Sequence, residues 1–122
     1  MDSWTPISEA EIREKLASAW KRMEPPQKRL WEAISADPVK WQQEPFGSQG
    51  GGFWIVAIYG SNVIWYNDIE DGFNRSHWST FGKIDDYWCN QDELEWTVQH
   101  LLDELEGKKL VGGYFGPPEQ LQ

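Results

Sequence analysis

The sequence predicts an α+β fold: two N-terminal helices, a small antiparallel sheet of three to five strands built on a hairpin at residues 53–67, and a C-terminal helix packed on the sheet. Three observations carry this. The stretch from Phe53 to Cys89 holds ten of the eighteen aromatic residues and opens on the one long apolar run, which locates the sheet. Ser8-Glu9-Ala10-Glu11 and Asn90-Gln91-Asp92-Glu93 each have the form of a helix-capping box, and each is followed by apolar residues at helical spacing. Pro25-Pro26 and Asp37-Pro38 punctuate the N-terminal third, dividing it into short helical segments.

The first helix is expected from Glu9 to about Met23. Ser8 is placed to accept from the Glu11 backbone while the Glu11 side chain reaches back, with Ile7 and Ile12 as the accompanying hydrophobic staple. Ile12, Leu16, Trp20 and Met23 then form one stripe, opposite Arg13, Glu14, Lys15, Lys21 and Arg22. Pro25-Pro26 ends this helix and starts a second, Pro26 to Ser35, which buries Leu30, Trp31 and Ile34 and stops at Asp37-Pro38. Val39 to Gln43 reads as a short strand before Phe46, and Gly47 to Gly52 as a flexible connector.

Phe53–Tyr59 and Asn62–Asn67 are rich in β-branched and aromatic residues, and Gly60-Ser61 between them suits a two-residue hairpin turn. An uninterrupted register pairs Tyr59 with Asn62 and runs down to Trp54 opposite Asn67. It puts Trp54, Val56, Ile58, Val63 and Trp65 on one face and Phe53, Ile55, Ala57, Tyr59, Ile64 and Tyr66 on the other. Both faces are apolar, so either helices cover both sides or one side is a docking surface. Asp71-Gly72 marks a second turn, leading to a strand-like segment, Phe73 to Phe81, in which Arg75, His77 and Ser79 share a face and Trp78 takes the other. Gly82 to Asp86 is a further turn or short strand that brings Ile84, Tyr87 and Trp88 near the core. The last helix, Gln91 to Glu106, is expected to have Asn90 as its cap and Cys89 with Leu94 as its staple, and to bury Leu94, Val98, Leu101, Leu102 and Leu105. It ends at Gly107 with Lys108-Lys109 at its negative terminus.

At 122 residues the chain fits one domain, expected over residues 1–111, with 112–122 as a flexible C-terminal tail. Cys89 is the lone cysteine, which excludes an intrachain disulfide and a Cys/His zinc framework, and a cytoplasmic location follows as the expectation. The N-terminus lacks a signal-peptide layout, and no apolar run approaches the roughly 20 residues that span a bilayer, so a soluble protein with no membrane partner is expected. The net charge of −9 is unevenly placed: residues 68–106 carry eleven acids against Arg75 and Lys83, while the segments on either side nearly balance. Such a distribution repels phosphate backbones, disfavours nucleic acid and attracts a basic partner.

No catalytic, metal or nucleotide motif is complete, so the sequence points away from an enzyme and implies no cofactor and no metal. The turn Asn67-Asp68-Ile69-Glu70-Asp71-Gly72 fails the calcium-loop pattern, since Ile69 falls where an oxygen ligand is required and Trp78 where the bidentate acid belongs. It reads first as a solvated turn with capping roles, then as a protein-contact patch, and last as a metal or catalytic site. Gly47 to Gly52 lacks the Gly-Lys-Ser/Thr of a phosphate loop, and Ser48 does not sit in Gly-x-Ser-x-Gly. Cys89 with His77 or His100 makes a nucleophile pair only arithmetically; a packed Cys89 and a solvated His100 are the plainer readings. Arg75 and His77 stand nearly alone as basic groups in the acidic half; pairing with Asp68, Glu70 or Asp85 is the plainer reading and a ligand anchor the lesser one.

Nine tryptophans exceed ordinary usage. Trp20, Trp31, Trp54, Trp65 and Trp88 are accounted for as core, whereas Trp96 lies opposite the buried helical stripe, where it is either covered by another element or exposed, and Trp4 near the start is a second candidate for exposure. The reading that follows is a protein-binding module with an acidic, aromatic surface drawn from Tyr66, Asp68, Glu70, Asp71, Arg75, His77, Trp78, Asp85, Asp86 and Trp96. In size, acidity and make-up the chain is similar to the immunity proteins that neutralise basic nuclease toxins in bacteria. The likeness is one of size and charge with no shared motif, and it implies a basic protein partner. The alternative is a small-molecule or carbohydrate-binding domain, or a hydrolase, with Trp54, Trp65, Tyr66 and Trp78 around acids 68–71. A homodimer through an apolar sheet face is the third.

Overall fold

The computed structural model describes residues 5–44 and 51–107 of the chain. The expectations for Trp4, Phe46 and the glycines at 47–50, Lys108, Lys109 and the tail at 112–122 lie outside the described residues. Two helices, α1 (Glu9–Arg22) and α2 (Pro25–Ile34), precede a four-stranded antiparallel sheet, β1 (Ser35–Trp41), β2 (Phe53–Tyr59), β3 (Asn62–Asn67) and β4 (Gly72–His77), and α3 (Leu94–Leu105) packs against it. The strands follow one another in sheet order as a meander.

Ser8 caps α1 as its spacing dictates: its Oγ accepts from the Glu11 N–H at 3.1 Å, and its own N–H donates to Glu11 Oε1 at 3.0 Å. Pro25 opens α2, where a proline loses no helical bond, and the Glu24 N–H is taken by Gln27 Oε1 at 2.7 Å. The chain then passes from helix to strand without a connector. Asp37-Pro38, expected to end the helix, instead lies inside β1 between the paired residues Ser35 and Val39, where the register shifts. Proline is tolerated there because β1 is an edge strand and no ladder partner needs its missing N–H.

The β2–β3 hairpin turns at Gly60 with φ +56°, the positive value a glycine-first turn requires, and pairs Tyr59 with Asn62 as expected. The register holds only to Ala57 opposite Ile64; below that, Ile55 faces Trp65 and Trp54 faces Tyr66, so Val56 is an extra residue. This bulge shifts the alternation by one position and exchanges the faces of everything beneath it. Trp54, Val56, Ala57, Ile64 and Tyr66 therefore look toward the helices, and Phe53, Ile55, Ile58, Val63 and Trp65 look away. The uninterrupted alternation misplaced Phe53, Trp54, Ile55 and Val56.

Each face has its own core. On the helical side Val56, Ala57, Ile64, Tyr66 and Phe73 pack against Ile12, Met23, Trp31, Ile34, Leu94, Val98 and Leu101. On the far side Phe53, Ile55, Val63, Trp65 and Trp41 lie under Ile84, flanked by Trp78 and Tyr87 from the segment after β4. The rings of Phe53 and Trp65 sit 4.7 Å apart, and Trp65 is tied down through its indole N–H to Ser76 Oγ at 2.9 Å, which donates in turn to the Asp86 carbonyl at 2.6 Å. Both faces of the hairpin are thus covered by the chain itself.

The segment after β4 also closes that strand's edge. The Asp85 N–H donates to the His77 carbonyl at 3.0 Å, and the Phe73 N–H to the Asp92 carbonyl at 2.9 Å. Farther along, Asn74 holds both backbone groups of Asn90, accepting from its N–H at 2.9 Å and donating to its carbonyl at 3.1 Å. Extended pairing of this kind is incompatible with helix, which is why α3 starts three residues later than expected, with Glu93 rather than Asn90 at the cap position. Cys89 is exposed instead of stapling the helix, and Trp88 and Leu105, both expected to be buried, are exposed as well.

Candidate functional site

The acidic turn between β3 and β4 is a structural joint. Asn67, fully buried, accepts from the N–H groups of Ile69 and Glu70 at 3.0 and 3.1 Å, and its side-chain amide donates to the Trp88 carbonyl at 2.9 Å. Asp68 Oδ2 accepts from the Ile7 N–H at 2.8 Å, tethering the approach to α1. Its other oxygen is buried without a hydrogen-bond partner, and burial pushes this carboxyl above the usual range. Asp71, at φ +63°, accepts from the Tyr66 hydroxyl; burial, and then this bond, raises the phenol above its ordinary value. Glu70 offers its carbonyl to Gln91 Nε2 at 3.0 Å. Among the described residues no group of three or more His, Cys, Asp or Glu is placed to hold a metal ion.

Beside this joint a cleft of about 450 Å³ runs between α1 and the segment entering α3, with Phe73 at its floor and Glu11, Glu14, Lys15, Arg22 and Glu93 along its sides. A smaller adjoining hollow adds Asp71 and Asp92. Counted together these are five carboxylates and two cations, a formal charge of −3. The cations are committed internally. Lys15 Nζ lies 3.8 Å from Asp71 and 5.3 Å from the centre of the Tyr66 ring, and Arg22 donates to Glu95 at 2.7 Å and to Glu93 at 3.1 Å. Burial acts to raise the Glu95 carboxyl, but the Arg22 hydrogen bond, a backbone hydrogen bond and the guanidinium charge together outweigh it and hold it below the usual range; the bond to Glu95 likewise raises the Arg22 guanidinium. Glu14 and Asp92 are left facing the cleft. Trp96, 57 % exposed, stands on α3 within a helical turn of Glu93; of the two readings open to it opposite the buried stripe, covered or exposed, the exposed one holds.

The other sequence-predicted residues lie elsewhere. Arg75 forms a two-pronged ion pair with Glu104 of α3, and His77 meets Asp86 through its N–H at 2.9 Å and its ring Nδ1 at 3.7 Å. These residues line a hollow of about 390 Å³ with Trp88, and a second hollow of about 220 Å³ shares Arg75 and Trp88 with it. Trp78 lies at the hairpin end, its indole N–H donating to the Gly60 carbonyl at 2.9 Å and its ring 5.6 Å from that of Trp41, beside Phe81, which is 73 % exposed. Asp85 accepts from Ser79 Oγ at 3.3 Å nearby.

The ten residues therefore fall into three groups rather than one patch. Tyr66 and Asp71 border the acidic cleft, with Asp68, Glu70 and Trp96 adjoining; Arg75, His77 and Asp86 line the hollows at β4; Trp78 and Asp85 flank the hairpin end. Glu11, Glu14, Asp92 and Glu93 were not singled out, because the acids of α1 reach the cleft only through tertiary packing. Trp88, expected near the core, and His100, expected on a solvated helix surface, meet Thr97 along one hollow, a grouping that no local spacing in the sequence signals. Among the described residues no helix is long and apolar enough to cross a membrane. No protein-family model, curated protein or solved structure matches the chain.

Proposed function

We propose that the protein is a binding module for a basic protein, and that the cleft between α1 and residues 91–96 is where that partner docks. One observation carries the reading: carboxylates far apart in sequence, Glu11 and Glu14 on α1 and Asp71, Asp92 and Glu93 between β3 and α3, stand around Phe73, and among the described residues the cations lining the cleft are Lys15 and Arg22. Trp96, one helical turn from Glu93, is a large exposed ring of the type that anchors interfaces. A field of this sign steers a cationic surface and stands in for phosphate toward a protein that binds nucleic acid. This is the immunity-like role that size and charge suggest.

The test is calorimetric titration with a lysine- and arginine-rich polypeptide at low and moderate ionic strength. Binding is expected to weaken as salt rises, and Glu14→Lys, a change on an exposed helix face, is expected to weaken it by about tenfold. Affinity indifferent to both salt and Glu14→Lys overturns the reading.

A further inference from the structure

The two cations of the acidic cleft are held very differently. Arg22 is fixed to the wall, its guanidinium donating to Glu95 at 2.7 and 3.1 Å and to Glu93 at 3.1 Å. Lys15 is held loosely: its Nζ stands 3.8 Å from Asp71, beyond hydrogen-bond length, in a pair whose side chains are 41 % and 78 % exposed. Exposed ion pairs of this kind contribute little to stability, so little is lost when one opens. The place where this ammonium rests nevertheless suits it well. Lys15 reaches from α1 into the smaller hollow, about 70 Å³ in volume and lined by Asp71, Asp92 and Glu93, and its Nζ lies 5.3 Å from the centre of the Tyr66 ring. That ring is fixed, being 4 % exposed with its hydroxyl on Asp71.

We propose that this hollow is a subsite for a lysine side chain of the partner, and that Lys15 fills it in the free protein as a displaceable stand-in. The inference rests on the protein-binding reading of the cleft and adds how that site is regulated. The chain's own ammonium shows which chemistry the hollow accepts, a cation over an aromatic face with carboxylates around it. Lys15 offsets one of the three carboxylates in the lining, so the formal charge there is −2 with its head in place and −3 once it leaves. An incoming lysine therefore meets a more negative hollow as Lys15 withdraws. Withdrawal needs no backbone change, because the charge sits at the end of a flexible four-carbon stem in the middle of α1.

The test uses the isotope-labelled full chain and an unlabelled lysine-rich peptide, with affinities from calorimetry and the Lys15 ε-methylene followed by NMR. The salt is about 0.15 M, where exposed charges more than about 8 Å apart are screened. Lys15→Gln keeps the helix and most of the stem but removes the competing charge, and is expected to tighten binding about fivefold. Lys83→Gln makes the same change of charge outside the cleft, next to Ile84 on the far face of the sheet, and is expected to stay within about twofold of wild type. In the wild type the Lys15 ε-methylene, shielded by the Tyr66 ring, is expected to move to the position of a solvated lysine as the peptide saturates. Lys15→Gln binding no more tightly than Lys83→Gln, or a Lys15 signal that keeps its shielded position in the saturated complex, overturns the proposal and leaves salt-sensitive docking in the cleft standing. No binding by either the wild type or Lys15→Gln overturns both readings together.

Discussion

Asn74 and Asn90 form a pair whose roles the structure reverses relative to the local sequence pattern, and the reversal is measurable. By spacing alone Asn90 caps the last helix, and Asn90→Ala then costs about 1 kcal/mol. In the fold, Asn90 contributes only its backbone, and the binding side chain is Asn74, 1 % exposed, with bonds of 2.9 and 3.1 Å to residue 90 and one of 3.3 Å to the Gly72 carbonyl. Asn74→Ala deletes all three. At about 1 kcal/mol for each net bond, less what water recovers at the exposed residue 90, the loss comes to about 2–3 kcal/mol. Asn90→Ala is expected to fall within about 0.5 kcal/mol of wild type. Asn74→Asp keeps the acceptor but sets a carboxylate against two carbonyl oxygens, so it destabilises more than alanine at neutral pH and recovers as acid protonates it. Urea unfolding of the three variants, extrapolated linearly to water, decides the matter. An Asn90→Ala loss of 1 kcal/mol or more, with Asn74→Ala nearly neutral, refutes the extended docking of residues 90–92 on β4.

Three further outcomes follow from the same geometry. Gly72→Ala puts a Cβ 2.3 Å from the Asn90 carbonyl oxygen and from Gln91 Cα, both backbone atoms that cannot rotate away, and is expected to cost about 1–3 kcal/mol in the same unfolding assay. Glu95 has a folded pKa below its unfolded value, so its contribution is complete above the unfolded pKa and fades as pH falls through the folded one; with Arg22 half exposed the amount is about 1 kcal/mol, and Glu95→Gln should remove that part of the acid loss seen in stability-versus-pH curves. Asp68 has the opposite sign, its folded pKa being raised. Wild type should therefore gain stability relative to Asp68→Asn as pH falls through the carboxylate range, and a difference that is flat or reversed contradicts its burial.

Much of the fold was legible where the cause is local. Ser8 and Glu11 satisfy each other across one helical turn, and the strands flanking Gly60 declare themselves by β-branched and aromatic residues, so neither needs distant information. The bulge at Val56 was not legible, because an extra apolar residue inside an apolar strand leaves the composition unchanged while exchanging the faces below it. The start of α3 was missed because a valid capping pattern at Asn90 is overridden by Asn74, sixteen residues away in sequence. Pro38 stood inside a strand because that strand is an edge, a fact of sheet order alone. The site divides in the same way. Trp96 could be placed by helical spacing, whereas the cleft brings α1 acids to residues some eighty positions later, and the Trp88 and Thr97 hollow is assembled from a strand, a loop and a helix.

The most direct test of the central claim is a map of amide shifts on titrating the protein with the lysine- and arginine-rich polypeptide. Docking in the acidic cleft predicts that the largest changes fall on Glu11 to Arg22 of α1, on residues 91–95, and on the Trp96 indole N–H. Changes centred on Trp41, Trp78 and Phe81 at the hairpin end, or a spectrum that does not move, contradict it.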